Sequence, residues 1–223
     1  MLLDILLIIG ILALPAIAQL YITSTYNKFK KKKNTEKISG FEVARKILDA
    51  NGLEEIDIVS TSGTLTDHYD PSRKVVRLSQ DNFDGESIAA MAVAAHECGH
   101  AIQHKEGYSL MRIRTLLVPI VNIGTSISYY IILIGFLFQI LNLVYIGLAL
   151  TGLGLLFQLV TLPVEINASH RAEVQLSKLG LALGNDSSGT RSVLTAAAMT
   201  YVAGVLSSAL QIIRLILIYG RRD

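Results

Sequence analysis

Residues 115–164 contain no Asp, Glu, Lys, Arg or His. As one helix this stretch would run about 75 Å, whereas the hydrocarbon core of a bilayer is about 30 Å thick. A single crossing cannot use that length, so the chain must fold back. A hairpin of two spans is expected over residues 113–164. Its turn is expected at residues 139–142, the most polar point midway. Gly147, Gly152 and Gly154 are expected to let the two helices pack closely. Arg112 and Arg114 flank the entry, and His170 and Arg171 follow the exit. Both ends of the hairpin therefore read as cytoplasmic.

The rest of the chain fits a membrane protein. Of its 223 residues 51% are hydrophobic, too many for an ordinary soluble domain. The net charge of +2 gives no basic footprint for nucleic acid. One cysteine excludes an internal disulfide. Residues 2–20 carry only Asp4 as a charge and are long enough to span. Ala16-Ile17-Ala18 resembles a signal cleavage site, but the lysines (Lys28, Lys30, Lys31, Lys32, Lys33, Lys37) follow the apolar run instead of preceding it. An uncleaved anchor, residues 1–26, is expected, with its N-terminus outside and the lysines in the cytoplasm touching anionic lipid. Residues 192–213 are uncharged and long enough for another span. Thr200, Gly204, Ser207, Gln211 and Arg214 form a weak polar stripe along that helix. The stripe fits a span turned into a bundle, a helix packed on the soluble part, or an interfacial helix. Arg221 and Arg222 favour a cytoplasmic end, which argues against a crossing. The segment 191–223 is thus a possible fourth span, and three to four spans are expected in all.

Residues 27–112 form the polar segment. Phe41, Ala44, Ile47 and Leu48 have helical spacing, with Gly52 as a stop. Residues 56–60, 65–69 and 74–79 read as short strands, the last two joined by a turn at Asp70-Pro71-Ser72. Asp84 is the expected N-cap of a helix over about 84–105. Its apolar run is short and flanked by charges, so it reads as a buried core helix rather than a span.

That helix contains His96-Glu97-Cys98-Gly99-His100. Residues four apart share a helix face, so His96 and His100 can both direct a ring nitrogen at one zinc ion. Glu97 lies about 100° round the helix, where it can take a proton from an attacking water. Cys98, on the opposite face, reads as a packing residue. Gly99 leaves room for a neighbouring backbone, or is simply tolerated. His104 is about 12 Å along the axis from His96, too far to close on the same ion, and reads as exposed. A third ligand should therefore come from a second helix, expected with its following loop at residues 165–190. Glu165, just past Pro163, is the first candidate, with Glu173, Glu106 and Asp186 as rivals. A carboxylate at a helix start has a plain alternative role in favouring the dipole. His68, Tyr69, His170, Arg171 and Tyr201 are candidates to stabilise an oxyanion or contact substrate, and each has an ordinary structural reading beside it.

Residues 94–103, 62–71, 162–169 and 196–203 resemble the bacterial YugP-like membrane zinc metallopeptidases, and together they cover nearly the whole chain. More distantly the plan is similar to gluzincins of the HtpX and CAAX prenyl protease type. The resemblance implies one zinc per chain, with Glu165 as its third ligand and Ala168 matching a Glu-x-x-Ala-Asp pattern. Ser169 stands where that pattern has aspartate. The expected fold is a mainly α integral membrane protein with a small α+β zincin-like catalytic unit. The expected activity is hydrolysis of peptides or membrane proteins at the cytoplasmic face of the bacterial plasma membrane, with Glu97 as general base. A substrate strand could add to residues 65–69 or 74–79. An intramembrane protease and a non-enzymatic zinc scaffold are the alternatives. Whether Glu97 is needed separates the scaffold from an enzyme.

Overall fold

The computed structural model describes residues 2–219. It is mainly helical, with seven helices and one three-stranded sheet. Arg221 and Arg222 lie outside the described residues. The chain divides into two compact units.

One unit comprises residues 2–19, 109–163 and 200–219. It holds most of the apolar length of four helices that are long and apolar enough to cross a membrane: α1 (Leu2–Lys30), α5 (Ser109–Leu137), α6 (Leu141–Lys178) and α7 (Asn185–Tyr219). The long uncharged stretch does turn midway, where Gln139 takes φ 56° between α5 and α6. Gly147 is needed there, because a Cβ on it would lie 2.4 Å from Ile132 Cγ1 and 3.1 Å from the Ser128 carbonyl oxygen. Gly152 departs from expectation: nothing lies within 4 Å of where its Cβ would be, so it is not a packing glycine.

The polar stripe of α7 turns partly into this bundle. Ser207 Oγ donates to the Ile11 carbonyl at 2.9 Å, and Arg214 Nε donates to Asp4 Oδ1 at 2.7 Å. A Cβ at Gly204 would meet the Gln158 side chain, whereas Gln211 is exposed. Pairing 11 with 207 and 4 with 214 makes α1 and α7 antiparallel. Helix α7 is therefore a fourth candidate span alongside α1, despite the basic residues that follow it.

The second unit comprises residues 20–108 and 164–199. Helix α2 (Gly40–Ala50) starts at a capping box, in which Ser39 and Glu42 each take the other's backbone N–H, and stops before Gly52 at φ 63°. It buries Val43, Ala44, Ile47 and Leu48. The sheet order is β1 (Asp57–Thr61), β3 (Val75–Ser79), β2 (His68–Asp70). Strand β1 runs parallel to β3, and β2 antiparallel to it, with Tyr69 opposite Val76. Two strand expectations change as a result. Strand β2 is shorter than residues 65–69, because Leu65 turns to φ 57° and Asp67 instead accepts from the Ser79 N–H at 2.7 Å. Strand β3 has a partner on each side, so residues 74–79 offer no edge to another strand.

A short helix, α3 (Gln80–Phe83), follows the sheet, and α4 (Ile88–Lys105) carries the histidines. Asp84 is not the N-cap of α4; it closes α3. Ser87 caps α4, its hydroxyl accepting from the Ala90 N–H at 3.0 Å. Between Ile88 and Gln103 all but Val93 and His96 are buried, so α4 is a core helix.

Candidate metal centre

The site is built where α4 and α6 meet within the second unit. The approach is close because position 99 is glycine: a Cβ there would lie 2.5 Å from the Ala168 carbonyl oxygen. On α4, His96 and His100 sit one turn apart with their rings edge to face, centroids 4.8 Å apart. On α6, Glu165 is buried at 2% exposure and turns its carboxylate to both. Its Oε2 lies 3.2 Å from His96 Nε2 and 3.4 Å from His100 Nε2. Ligands at about 2.0–2.1 Å in a tetrahedral shell stand about 3.4 Å from one another. Both carboxylate–imidazole separations match that edge, and the donor set of two imidazoles and one carboxylate suits zinc. Ligand atoms of all three residues lie within 4.8 Å of one another.

Glu165 does not begin a helix, as the preceding Pro163 suggested. It lies well inside α6, which runs unbroken through the proline. A proline costs one backbone bond, and a long helix with its other bonds intact continues through it. The carboxylate's place here is set by the helix crossing and not by a helix terminus.

The other ring nitrogens are also engaged. His96 Nδ1 lies 3.2 Å from Ser169 Oγ, one turn beyond Glu165, and His100 Nδ1 lies 3.0 Å from Gln103 Oε1. Ser169 thus stands beside the first histidine, at the position where the resemblance leads one to expect aspartate. A proton on each Nδ1, held by these oxygens, leaves each Nε2 as a lone pair facing Glu165.

Glu97 is buried beside the group. Its Oε2 accepts the backbone N–H of Tyr69 at 2.9 Å, so the open edge of β2 faces this carboxylate. Burial pushes its pKa up to about 7. The nearby Glu165 and Asp67 add to the rise, while His96 and the Tyr69 N–H oppose it. A carboxyl poised near neutrality can both take and return a proton.

The remaining candidates fall in different places. His68 is exposed, with Nδ1 2.8 Å from the Thr66 carbonyl oxygen. The Tyr69 hydroxyl lies 2.9 Å from Nδ1 of the exposed His104, and burial followed by Glu55 and Asp70 raises this phenol to about 12. His170 is exposed. Arg171 donates to Asn167 Oδ1 at 2.8 Å and pairs with Glu106 at 2.7 Å. Tyr201 belongs to the other unit. None of the rival ligands joins the histidines: Glu106 holds Arg171, Glu173 faces Arg191 at 4.0 Å, and Asp186 accepts the Thr35 N–H at 2.7 Å. Cys98 is buried on the far face of α4, its thiol 3.6 Å from the Ala44 carbonyl oxygen, and burial pushes its pKa up. The sequence alone assigns no role to Gln103, Ser169 or the Tyr69 N–H. The available signal was spacing: Gln103 lies three residues after His100, and Ser169 four after Glu165.

A "Putative membrane protease YugP" of Bacillus subtilis (strain 168) is 42% identical over 213 residues, covering 96% of this chain and 95% of that protein. No solved structure matches the chain. Residues 4–220 match the family described as "Putative neutral zinc metallopeptidase", and the chain belongs to that family.

Proposed function

We propose that the protein is a membrane-anchored zinc peptidase. In this reading His96, His100 and Glu165 hold one zinc, Glu97 is the general base, and the site lies at the cytoplasmic membrane face. The observation that carries the reading is the convergence of two imidazole nitrogens and a buried carboxylate, Glu165 Oε2 lying 3.2 and 3.4 Å from the two rings, with the buried Glu97 carboxylate beside them. Zinc bound there would supply Lewis-acid chemistry, acidifying a water and polarising the scissile carbonyl. Glu97 takes the proton of the attacking water and passes it to the departing amine. Ser169 and Gln103 hold the imidazoles by their far nitrogens. An extended peptide adding at the outer edge of β2, beside Tyr69 and His68, would take over the Tyr69 N–H that now donates to Glu97. The helix bearing both histidines beside an edge strand supports reading this unit as zincin-like. The lysines that follow α1's apolar run support a cytoplasmic site.

Metal analysis of detergent-purified protein tests the centre: one zinc per chain is expected, lost in Glu165→Ala. Glu97→Gln should keep the zinc and lower peptide hydrolysis by about 10²–10⁴-fold. Retention of the protein's biological effect in Glu97→Gln would instead point to a zinc-stabilised scaffold. Trypsin added to vesicles of known sidedness tests orientation, since cleavage at the lysine cluster is expected only where the cytoplasmic face is exposed.

A further inference from the structure

Gln103 is fully buried on α4, three residues after His100, and makes three polar contacts. Its Nε2 donates to the Val164 carbonyl at 2.8 Å and to Asn167 Oδ1 at 2.9 Å, and its Oε1 faces His100 Nδ1 at 3.0 Å. A carbonyl can only accept, so the Gln103 NH₂ must be the end that faces Val164. Asn167 is fixed in the same way. Arg171 Nε, which can only donate, holds Asn167 Oδ1 at 2.8 Å, and Arg171 is itself anchored on Glu106 at 2.7 Å. With both ends of the relay determined, Oε1 of Gln103 has one role left, to accept from His100 Nδ1. That leaves the Nε2 lone pair of His100 facing Glu165.

We propose that Gln103, held in orientation by Asn167 and Arg171, is a positioning residue that fixes the His100 tautomer. By gripping α6 at Val164 and Asn167, on either side of Glu165, it also fixes the distance between ligands contributed by two different helices. The inference rests on the zinc reading of His96, His100 and Glu165. Its role is to preorganise the ligands, and groups in that position typically change metal affinity by about 10–100-fold.

The test is zinc affinity of the full-length protein in detergent, measured by chelator competition, together with the visible spectrum of the cobalt-substituted form. Gln103→Leu should weaken zinc about 10–100-fold and alter the cobalt spectrum. Asn167→Leu should act in the same direction. Asn167→Asp keeps an acceptor for both Gln103 and Arg171, and should hold zinc as wild type does. If Gln103→Leu does not fold, the two Asn167 variants decide the matter. Wild-type affinity in a folded Gln103→Leu, or equal loss in Asn167→Asp and Asn167→Leu, would overturn the proposal while leaving the zinc site standing. Wild-type protein that binds no zinc, or His96→Ala that binds as much as wild type, would overturn the zinc reading and this inference with it.

Discussion

In the unit of long apolar helices, Arg214 meets Asp4 at 2.7 Å, and donor and acceptor satisfy each other. In the other unit, Glu165 faces His96 and His100 at 3.2 and 3.4 Å, and all three groups can present lone pairs to a common point. The first arrangement is self-sufficient, because a cation and an anion cancel within the fold. The second gathers metal-ligating groups, because a carboxylate oxygen and two imidazole nitrogens turn towards one another from two helices. A pair that closes on itself reads as architecture, and a cluster of metal-ligating groups reads as a site.

The widest separation between the two should come from Glu165→Ala. It should weaken zinc by more than about 100-fold, beyond what changes in supporting residues typically cause. Replacing Asp4 and Arg214 together by leucine should leave the zinc content unchanged. Metal analysis of both variants checks the contrast, and zinc loss in the Asp4/Arg214 variant would break it.

Removing the metal should expose a pH dependence that arises at the site. Burial raises Glu97 from 4.5 to about 7. The folded metal-free protein then keeps a proton that the unfolded chain releases, so stability falls as pH rises between about 4.5 and 7. At 1.36 kcal/mol per pH unit the ceiling is about 3 kcal/mol. In melts with chelator present, Glu97→Gln should gain on wild type across that interval. A constant offset would show that the burial of Glu97 does not carry the effect.

The helix crossings sharpen the contrast further. A Cβ at Gly99 would meet the Ala168 backbone, whereas one at Gly152 would meet nothing within 4 Å. Gly99→Ala should therefore cost about 1–3 kcal/mol and weaken zinc as well, by moving α6 off α4. Gly152→Ala should leave both melting and metal content near wild type. The smallest effect is expected for Asp4→Asn alone. The pair is partly exposed, at 39% for Asp4 and 31% for Arg214, so a loss of about 1 kcal/mol or less in thermal stability is expected.

The same contrast explains which features could be read from the sequence. The hairpin was legible because fifty uncharged residues have one solution in a bilayer, and the turn at Gln139 follows from its polarity. The spacing of His96 and His100 was legible because helical periodicity is local. The position of Glu165 along α6 runs against the proline signal, since a proline marks a helix start only when the chain is not already helical, and α6 begins at Leu141. Asp84 and Ser87 are both good caps, and the choice depended on α3, four residues long, which ends at Phe83. Asp67 shortened β2 through a bond to Ser79, twelve residues away. Gln103 meets His100, and Asn167 meets Arg171, along one helix, but the bonds from Gln103 to Val164 and Asn167 and between Ser169 and His96 form only where two helices distant in sequence cross. Spacing along each helix marks the face they share with the ligands, and not the partner across the crossing.

Cys98 is the chain's one cysteine, and it is buried with its thiol shifted towards the unreactive neutral form. To a maleimide or a spin-label reagent the folded protein should therefore be nearly blank. Any cysteine introduced on its surface becomes a unique chemical address. Depth in lipid, sidedness and distances between helices can then be measured without first removing the native residue from the helix that carries the histidines.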